Sequence, residues 1–195
     1  MCSKVINNPP SLFLMDIIRF FQEALRLKNT KRTGWELSKV PEPESVADHS
    51  WGTAVLAAVI PLPEDVDRDR LVRMALLHDI GEGAIGDIVW ERDGKQHHDI
   101  GKKKDEQEKA AIKILFNMIG DDDSITLVTD YIEQRTAEAR FLKQLDKLEM
   151  VFQAYAYDDK TDPRILDQFW ESSDKYLTDK NCREIYEKLK SMRNS

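Results

Sequence analysis

The chain lacks most of the features that would mark a secreted, membrane-spanning or nucleic-acid-binding protein. Its 195 residues include only two cysteines, Cys2 and Cys182, near opposite ends. Two such residues make no disulfide framework, and neither has a second cysteine at metal-ligand spacing. A reducing, cytoplasmic compartment is therefore expected. Long apolar runs are missing too: the strongest lies around Ala54–Ile60, far short of the roughly 20 residues of a membrane span. The opening MCSKVINNPP has no apolar signal-peptide core. Positive charge is in deficit, with a formal net charge of −7, so neither a nucleic-acid polymer nor an anionic membrane has an electrostatic reason to bind. A small anionic substrate would need a local basic pocket. No internal repeat, low-complexity tract or convincing strand pattern occurs.

What is present suits one globular domain over 1–195: 41% hydrophobic and 33% charged residues, in a length that argues against two units. Residues 1–10 read as a loose arm, because Asn7, Asn8, Pro9 and Pro10 disfavour a regular element, and Ser11 offers an N-cap. Phe13, Leu14, Ile17, Ile18, Phe21, Ala24 and Leu25 then recur at helical spacing. Residues 28–44 form a long connection that still carries Arg32 and Trp35; such connections are usually functional or disordered. Ser45 followed by Asp48 is a capping signature, and the helix it opens has Val46, His49, Thr53, Leu56, Ala57 and Ile60 on one face. Pro61 and Pro63 end it.

The next helix begins near Asp65–Asp69, with a stripe of Leu71, Met74, Ala75 and His78. The pattern is irregular after Asp87, and a polar helix is expected from about Lys104 to Met118. Asp121–Asp123 with Ser124 cap another, running to about Gln134. Over 138–157, Phe141, Leu145, Leu148, Phe152 and Tyr155 are helically spaced, with Asp146 beside the stripe. Asp162–Pro163 opens a helix through Phe169 and Trp170, and Thr178 opens the last, so the C-terminal helices fill 163–193. The expected fold is all-α, a single helical bundle.

Three of these helices direct metal-ligand side chains inward: His49, the His78–Asp79 pair, and Asp146. Mixed imidazole and carboxylate donors suit one divalent first-row ion such as Mn, Fe, Co, Ni or Zn better than Ca or Mg. Taken singly, each has a simpler account. A buried histidine is more often a hydrogen-bonded core residue, and Asp146 can pair with Lys143 or Arg140 on its own helix. Together they are harder to dismiss, since several unpaired polar groups would be buried at once.

In order, His49, the HD pair at 78–79 and Asp146 resemble the H…HD…D signature of HD-domain phosphohydrolases, helical metal enzymes that cleave phosphate esters. RTGW at 32–35, PESVADHS at 43–50, ALLHDIGEGAIGD at 75–87 and AEARFLKQLDKLEM at 137–150 resemble the branch containing 5′-deoxynucleotidases, over the span 11–160. The resemblance implies that His49, His78, Asp79 and Asp146 hold the metal and that Glu82 and Asp87 are the catalytic acids. It implies that Arg32 binds a 5′-phosphate and that Trp35 packs against the sugar, disfavouring a 2′-hydroxyl. The bacterial members have Arg and Trp adjacent, whereas Thr33 and Gly34 intervene here. Of the acids, Glu82 is the better candidate for proton transfer, with Asp87 a positioning residue; without the resemblance, both read as turn acids beside glycine. Members often form homodimers, for which Phe169, Trp170 or the apolar first helix could supply the surface.

A second His-Asp pair, in HHDIGK at 97–102, resembles the signature of cyclic-dinucleotide phosphodiesterases. The polar ERDGKQ before it offers no buried helix to present His98, so His97 and His98 read as a solvated loop. Lys102–Lys104 could add positive potential for a phosphate, although a charge run is usually a solvated face. The expected function is metal-dependent hydrolysis of (deoxy)nucleoside 5′-monophosphates. The competing readings are a related hydrolase of nucleoside triphosphates, cyclic nucleotides or an alarmone, and a non-catalytic metal-binding module. A substrate panel separates the first two; Glu82→Ala separates either from the third.

Overall fold

Helix follows helix along this chain because the apolar residues keep a 3.6-residue period and most helices begin at a side-chain cap. The computed structural model describes residues 10–88, 91, 92, 95, 96 and 98–195, with side chains over 14–88 and 100–195. The helices are α1 (Pro10–Ala24), extended by a 3₁₀ turn at Leu25–Lys28, α2 (Thr33–Leu37), α3 (Val46–Val59), α4 (Arg68–Leu77) and α5 (Glu82–Ile85). They continue as α6 (His98–Ile119), α7 (Asp122–Ile132), α8 (Ala137–Tyr157), α9 (Pro163–Asp174) and α10 (Lys180–Arg193). Extended pairing among the described residues is confined to a two-residue ladder, Glu91–Arg92 against Lys95–Gln96, and one bridge between Lys31 and Ser45. The fold is all-α, as expected.

Several boundaries fall where the sequence puts them. Ser45 and Asp48 form a reciprocal capping box, Asp121 caps α7 by accepting from the Ser124 N–H, and Asp162 caps α9 with Pro163 as its first residue. Others differ. α1 already begins at Pro10, so Ser11 lies within its first turn and does not cap it; proline suits that first position, where an N–H would have no helical partner. The expectation of a loose arm otherwise falls on residues 1–9, outside the described residues. α2 interrupts the 28–44 connection. α6 starts at His98 instead of near Lys104, because a polar helical turn adds no apolar period to read. Asp179, not Thr178, caps α10, while the Thr178 N–H and hydroxyl both donate to Gln144 Oε1.

α8 is the centre of the bundle and packs against α3, α4, α7, α9 and α10. Its Leu142, Leu145, Leu148, Val151 and Ala154 are fully buried in the larger of two apolar clusters. The smaller cluster gathers Leu27, Val46, Ile80, Ile112, Phe116 and Val128. α3 gives Val46 to the smaller cluster and Ala54 and Ala57 to the larger, which Ile60 just beyond it also joins. Likewise α4 gives Leu71, Met74 and Ala75 to the larger, and Ile80 just beyond it joins the smaller. His49 and His78 sit where these contacts pass from one cluster to the other.

Candidate active site

The capping box fixes where α3 starts, and the helical period then carries His49 onto the buried face with Val46 and Thr53. His78 is the buried C-cap of α4, and Asp79 follows it into the turn. Each imidazole is anchored through Nδ1: His49 to Glu149 Oε2 at 2.5 Å, His78 to the Ala75 carbonyl at 2.7 Å. An anchor of this kind sets the ring orientation and leaves Nε2 for something else. Both Nε2 atoms are buried without a hydrogen-bond partner. They stand 3.8 Å (His49) and 3.3 Å (His78) from Asp79 Oδ2, and ligand atoms of the three residues lie within 4.8 Å of one another. Two orphaned imidazole nitrogens converging on a carboxylate are the donors a divalent cation satisfies, so the residues fit the ion that the sequence pattern suggests.

Asp146 stands at the margin of this group. Its Oδ1 is 3.2 Å from His49 Nε2, while Oδ2 accepts from Lys143 Nζ at 2.9 Å and from the Tyr131 hydroxyl at 3.3 Å. The pairing with Lys143 open to it on its own helix is therefore present beside its approach to His49. Burial acts to raise the Asp79 pKa, but His78, His49 and Arg32 hold that carboxyl well below the usual carboxylate range. Burial and Arg32 act against a proton on His49; Glu149 and Asp146 outweigh them and push its pKa up to about 10. Binding a cation displaces such a proton.

A cavity of about 330 Å³ adjoins these groups, within the size range of small-molecule sites. Arg32, Trp35, Asp79, Glu82, Asp87 and Asp146 all line it. Glu82, the first residue of α5, is fully buried; Oε1 accepts from Lys104 Nζ at 2.7 Å, and Oε2 has no partner. Burial, reinforced by Asp79, pushes its pKa up to about 8. Asp87 does two jobs: Oδ2 accepts from the Thr33 N–H at 2.7 Å and so caps α2 from outside, while Oδ1 lies 3.9 Å from Arg32 Nη1. Arg32 is also 3.7 Å from Asp79 Oδ2, and although burial opposes its charge, Asp87, Asp79 and Glu82 hold its pKa above the ordinary arginine value.

Trp35 is only 2% exposed. Its Nε1 donates to Glu44 Oε1 at 2.8 Å, and its ring lies against Phe169 at 4.0 Å between centroids and against Tyr157 at 5.4 Å. It forms a wall of the cavity with Phe169. Trp170, by contrast, belongs to the core against Tyr186, so of the surfaces suggested for self-association only the first helix is open, with Leu14 and Phe21 59% and 60% exposed. His97 falls outside the described residues; His98 opens α6, and its side chain is likewise outside them.

Glu108 and Glu149 are the site residues that sequence reasoning missed, and of the Lys102–Lys104 run it did not single out Lys104. Lys102 and Lys103 are exposed, as a charge run predicts, but Lys104 turns inward. Glu108 is buried beside the cavity, and that burial pushes its pKa up to about 7. Glu149 had a readable signal: it lies three residues after Asp146, on the same side of α8. Glu44, His49 and Glu149 make a second close set of donors, although both carboxylates already accept hydrogen bonds from Trp35 and His49.

The HD domain family matches residues 24–186, which include every residue of this site. The chain belongs to the HD-domain family. Among other HD-domain proteins, it is 36% identical over 162 residues to human 5′-deoxynucleotidase HDDC2, covering 80% of this chain and 76% of that one. It is 30% identical over 154 residues to 5′-deoxynucleotidase hdd1 of Schizosaccharomyces pombe, covering 75% and 74%. A conserved hypothetical protein from Pyrococcus furiosus superposes with a TM-score of 0.70 at 28% identity, over 89% of this chain and 99% of that chain.

Proposed function

We propose that this HD-domain protein is a metal-dependent 5′-deoxynucleotidase, a phosphomonoesterase that releases phosphate from (deoxy)nucleoside 5′-monophosphates. The observation that carries this reading is the convergence of two unpaired buried nitrogens, His49 Nε2 and His78 Nε2, on the Asp79 carboxylate, next to a cavity lined by Glu82, Arg32 and Lys104. The relatives named 5′-deoxynucleotidases support it. His49, His78, Asp79 and Asp146 would hold the ion, which when bound supplies Lewis-acid polarisation of a phosphoryl oxygen and of the attacking water.

The remaining roles fall to this chain's own residues. Arg32, kept charged by Asp79 and Asp87, offers a guanidinium to the phosphate. Burial pushes the Glu82 pKa up to about 8, so it holds a proton more readily than an ordinary carboxyl. As water adds to phosphorus and the bond to the 5′-oxygen breaks, that proton can pass from Glu82 to the leaving oxygen. Asp87 holds the Arg32–Thr33 turn in place. Trp35 and Phe169 give the cavity an aromatic wall for the nucleoside.

Two further readings go with this one. The exposed face of α1, with Leu14, Ile17, Ile18 and Phe21, supports a homodimer, which sedimentation of the protein against a Phe21→Glu variant tests. The widely separated cysteines support a cytoplasmic location, which cell fractionation tests. The activity itself is tested by phosphate release across nucleoside monophosphates, triphosphates and cyclic nucleotides, crossed with a panel of divalent metals. Release from dAMP, dGMP or dTMP supports the reading. Turnover of triphosphates or cyclic nucleotides alone would overturn it.

A further inference from the structure

α5 is so short that its place is set by what it lies against, and two glycines permit the approach. A Cβ at Gly81 would come 3.0 Å from Glu108 Cγ on α6, and one at Gly83 would come 3.2 Å from the Glu23 carbonyl oxygen on α1. With glycine at both positions, α5 lodges against α6, α1 and the 3₁₀ turn. Glu82 is thereby carried wholly out of water. A carboxyl buried so completely needs a partner.

α6 supplies one. Lys104 Nζ donates to Glu82 Oε1 at 2.7 Å. Burial works against the ammonium charge, but Glu82, Glu108 and Asp79 hold the Lys104 pKa above its ordinary value. The pairing is one-sided: Oε2 is buried and has no partner, and both Glu82 and Lys104 line the cavity. A salt bridge that served only to fasten α5 to α6 would gain from satisfying both oxygens and would not need to face the cavity.

We infer that Lys104 is a positioning residue: by holding Glu82 Oε1 it fixes the carboxyl so that Oε2 meets the leaving oxygen of a bound phosphate ester. The chemistry rests on the phosphatase reading above, while the arrangement can be tested without turnover. A lysine that bound the phosphate would show itself in KM; one that positions Glu82 shows itself in kcat and only while Glu82 is present.

The test compares Lys104→Met, which keeps most of the stem, Lys104→Arg, which keeps the charge, Glu82→Gln, and the Glu82→Gln/Lys104→Met double variant. With dAMP as substrate, Lys104→Met should lower kcat by about 10–100-fold with KM little changed, as loss of orientation does. Lys104→Arg should recover part of the loss, and the double variant should be no slower than Glu82→Gln alone. A crystal structure of Lys104→Met should show the Glu82 carboxyl displaced or in two conformers. A raised KM at unchanged kcat, a double variant slowed by the product of the single effects, or a Glu82 that stays fixed in Lys104→Met would overturn the inference. If the wild type hydrolyses no phosphate ester, the phosphatase reading fails by itself, and the Lys104→Met crystal structure still decides whether Lys104 holds Glu82.

Discussion

At the scale of single residues, the site depends on groups that hold other groups. His49 presents Nε2 to Asp79 and Asp146 only because Glu149 accepts at Nδ1. Replacing Glu149 with Gln keeps the shape but removes the charge that makes this imidazole a strong donor. Glu149→Gln should therefore weaken Mn²⁺ binding by roughly 10–100-fold, the usual effect of losing such an outer partner. Calorimetric titration checks this, and unchanged affinity would show that Glu149 is only filling space. His78 depends instead on a backbone acceptor, the Ala75 carbonyl, so its orientation is built into the end of α4 and no single side chain can remove it.

At the scale of helices, Gly52 shows how α3 and α8 fit together around the same pair. A Cβ there would lie 2.6 Å from Glu149 Oε1. Alanine favours a helix over glycine by about 1 kcal/mol, and the clash falls on the end of a side chain, not on backbone. Gly52→Ala should therefore leave the melting temperature within a few degrees of the wild type while weakening metal binding. A melting curve and a Mn²⁺ titration on the same sample check this. A large loss of stability with intact affinity would contradict it.

The helices also show what the sequence made legible. The stripes of α3, α4 and α8 announced His49, His78 and Asp146 because all three fall on the 3.6-residue period of the core. The capping box at Ser45 and the Asp162–Pro163 start were local chemistry and could be read directly. The start of α6 could not, because its first turns carry lysines and no apolar period. Lys104 and Glu108 matter only because Gly81 and Gly83 let α5 approach α6 and α1, and one strand of sequence does not state which helix lies against which. Asp87 is a similar case: it caps α2 across 54 positions.

At the scale of the whole molecule, the site sets how stability responds to pH and to metal. Burial raises Glu44 to about 7, Glu108 to about 7 and Glu82 to about 8, from an ordinary 4.5. The folded chain therefore holds more protons at these groups than the unfolded chain between those values, and stability falls as pH rises through that window. The metal-free protein should accordingly be less stable in denaturant at pH 8 than at pH 5.5. Equilibrium urea unfolding at the two values checks this, and a rise in stability with pH would contradict it. Asp79 and Asp146, held below the carboxylate range, act in the opposite sense at lower pH, losing their contribution as acid protonates them. A bound ion adds its own stabilisation, about 2.7 kcal/mol when present at a hundred times its Kd.

The central claim is that the ion held by His49, His78 and Asp79 serves phosphate-ester hydrolysis beside Glu82. Its most direct test is phosphate release from dAMP by protein stripped with a chelator and then reloaded with Mn²⁺ or Co²⁺. Stripped protein should release none, and reloading should restore turnover in the wild type but not in Glu82→Gln. Hydrolysis that survives stripping would contradict the account, as would a reloaded protein that binds the metal and releases phosphate from no nucleoside monophosphate.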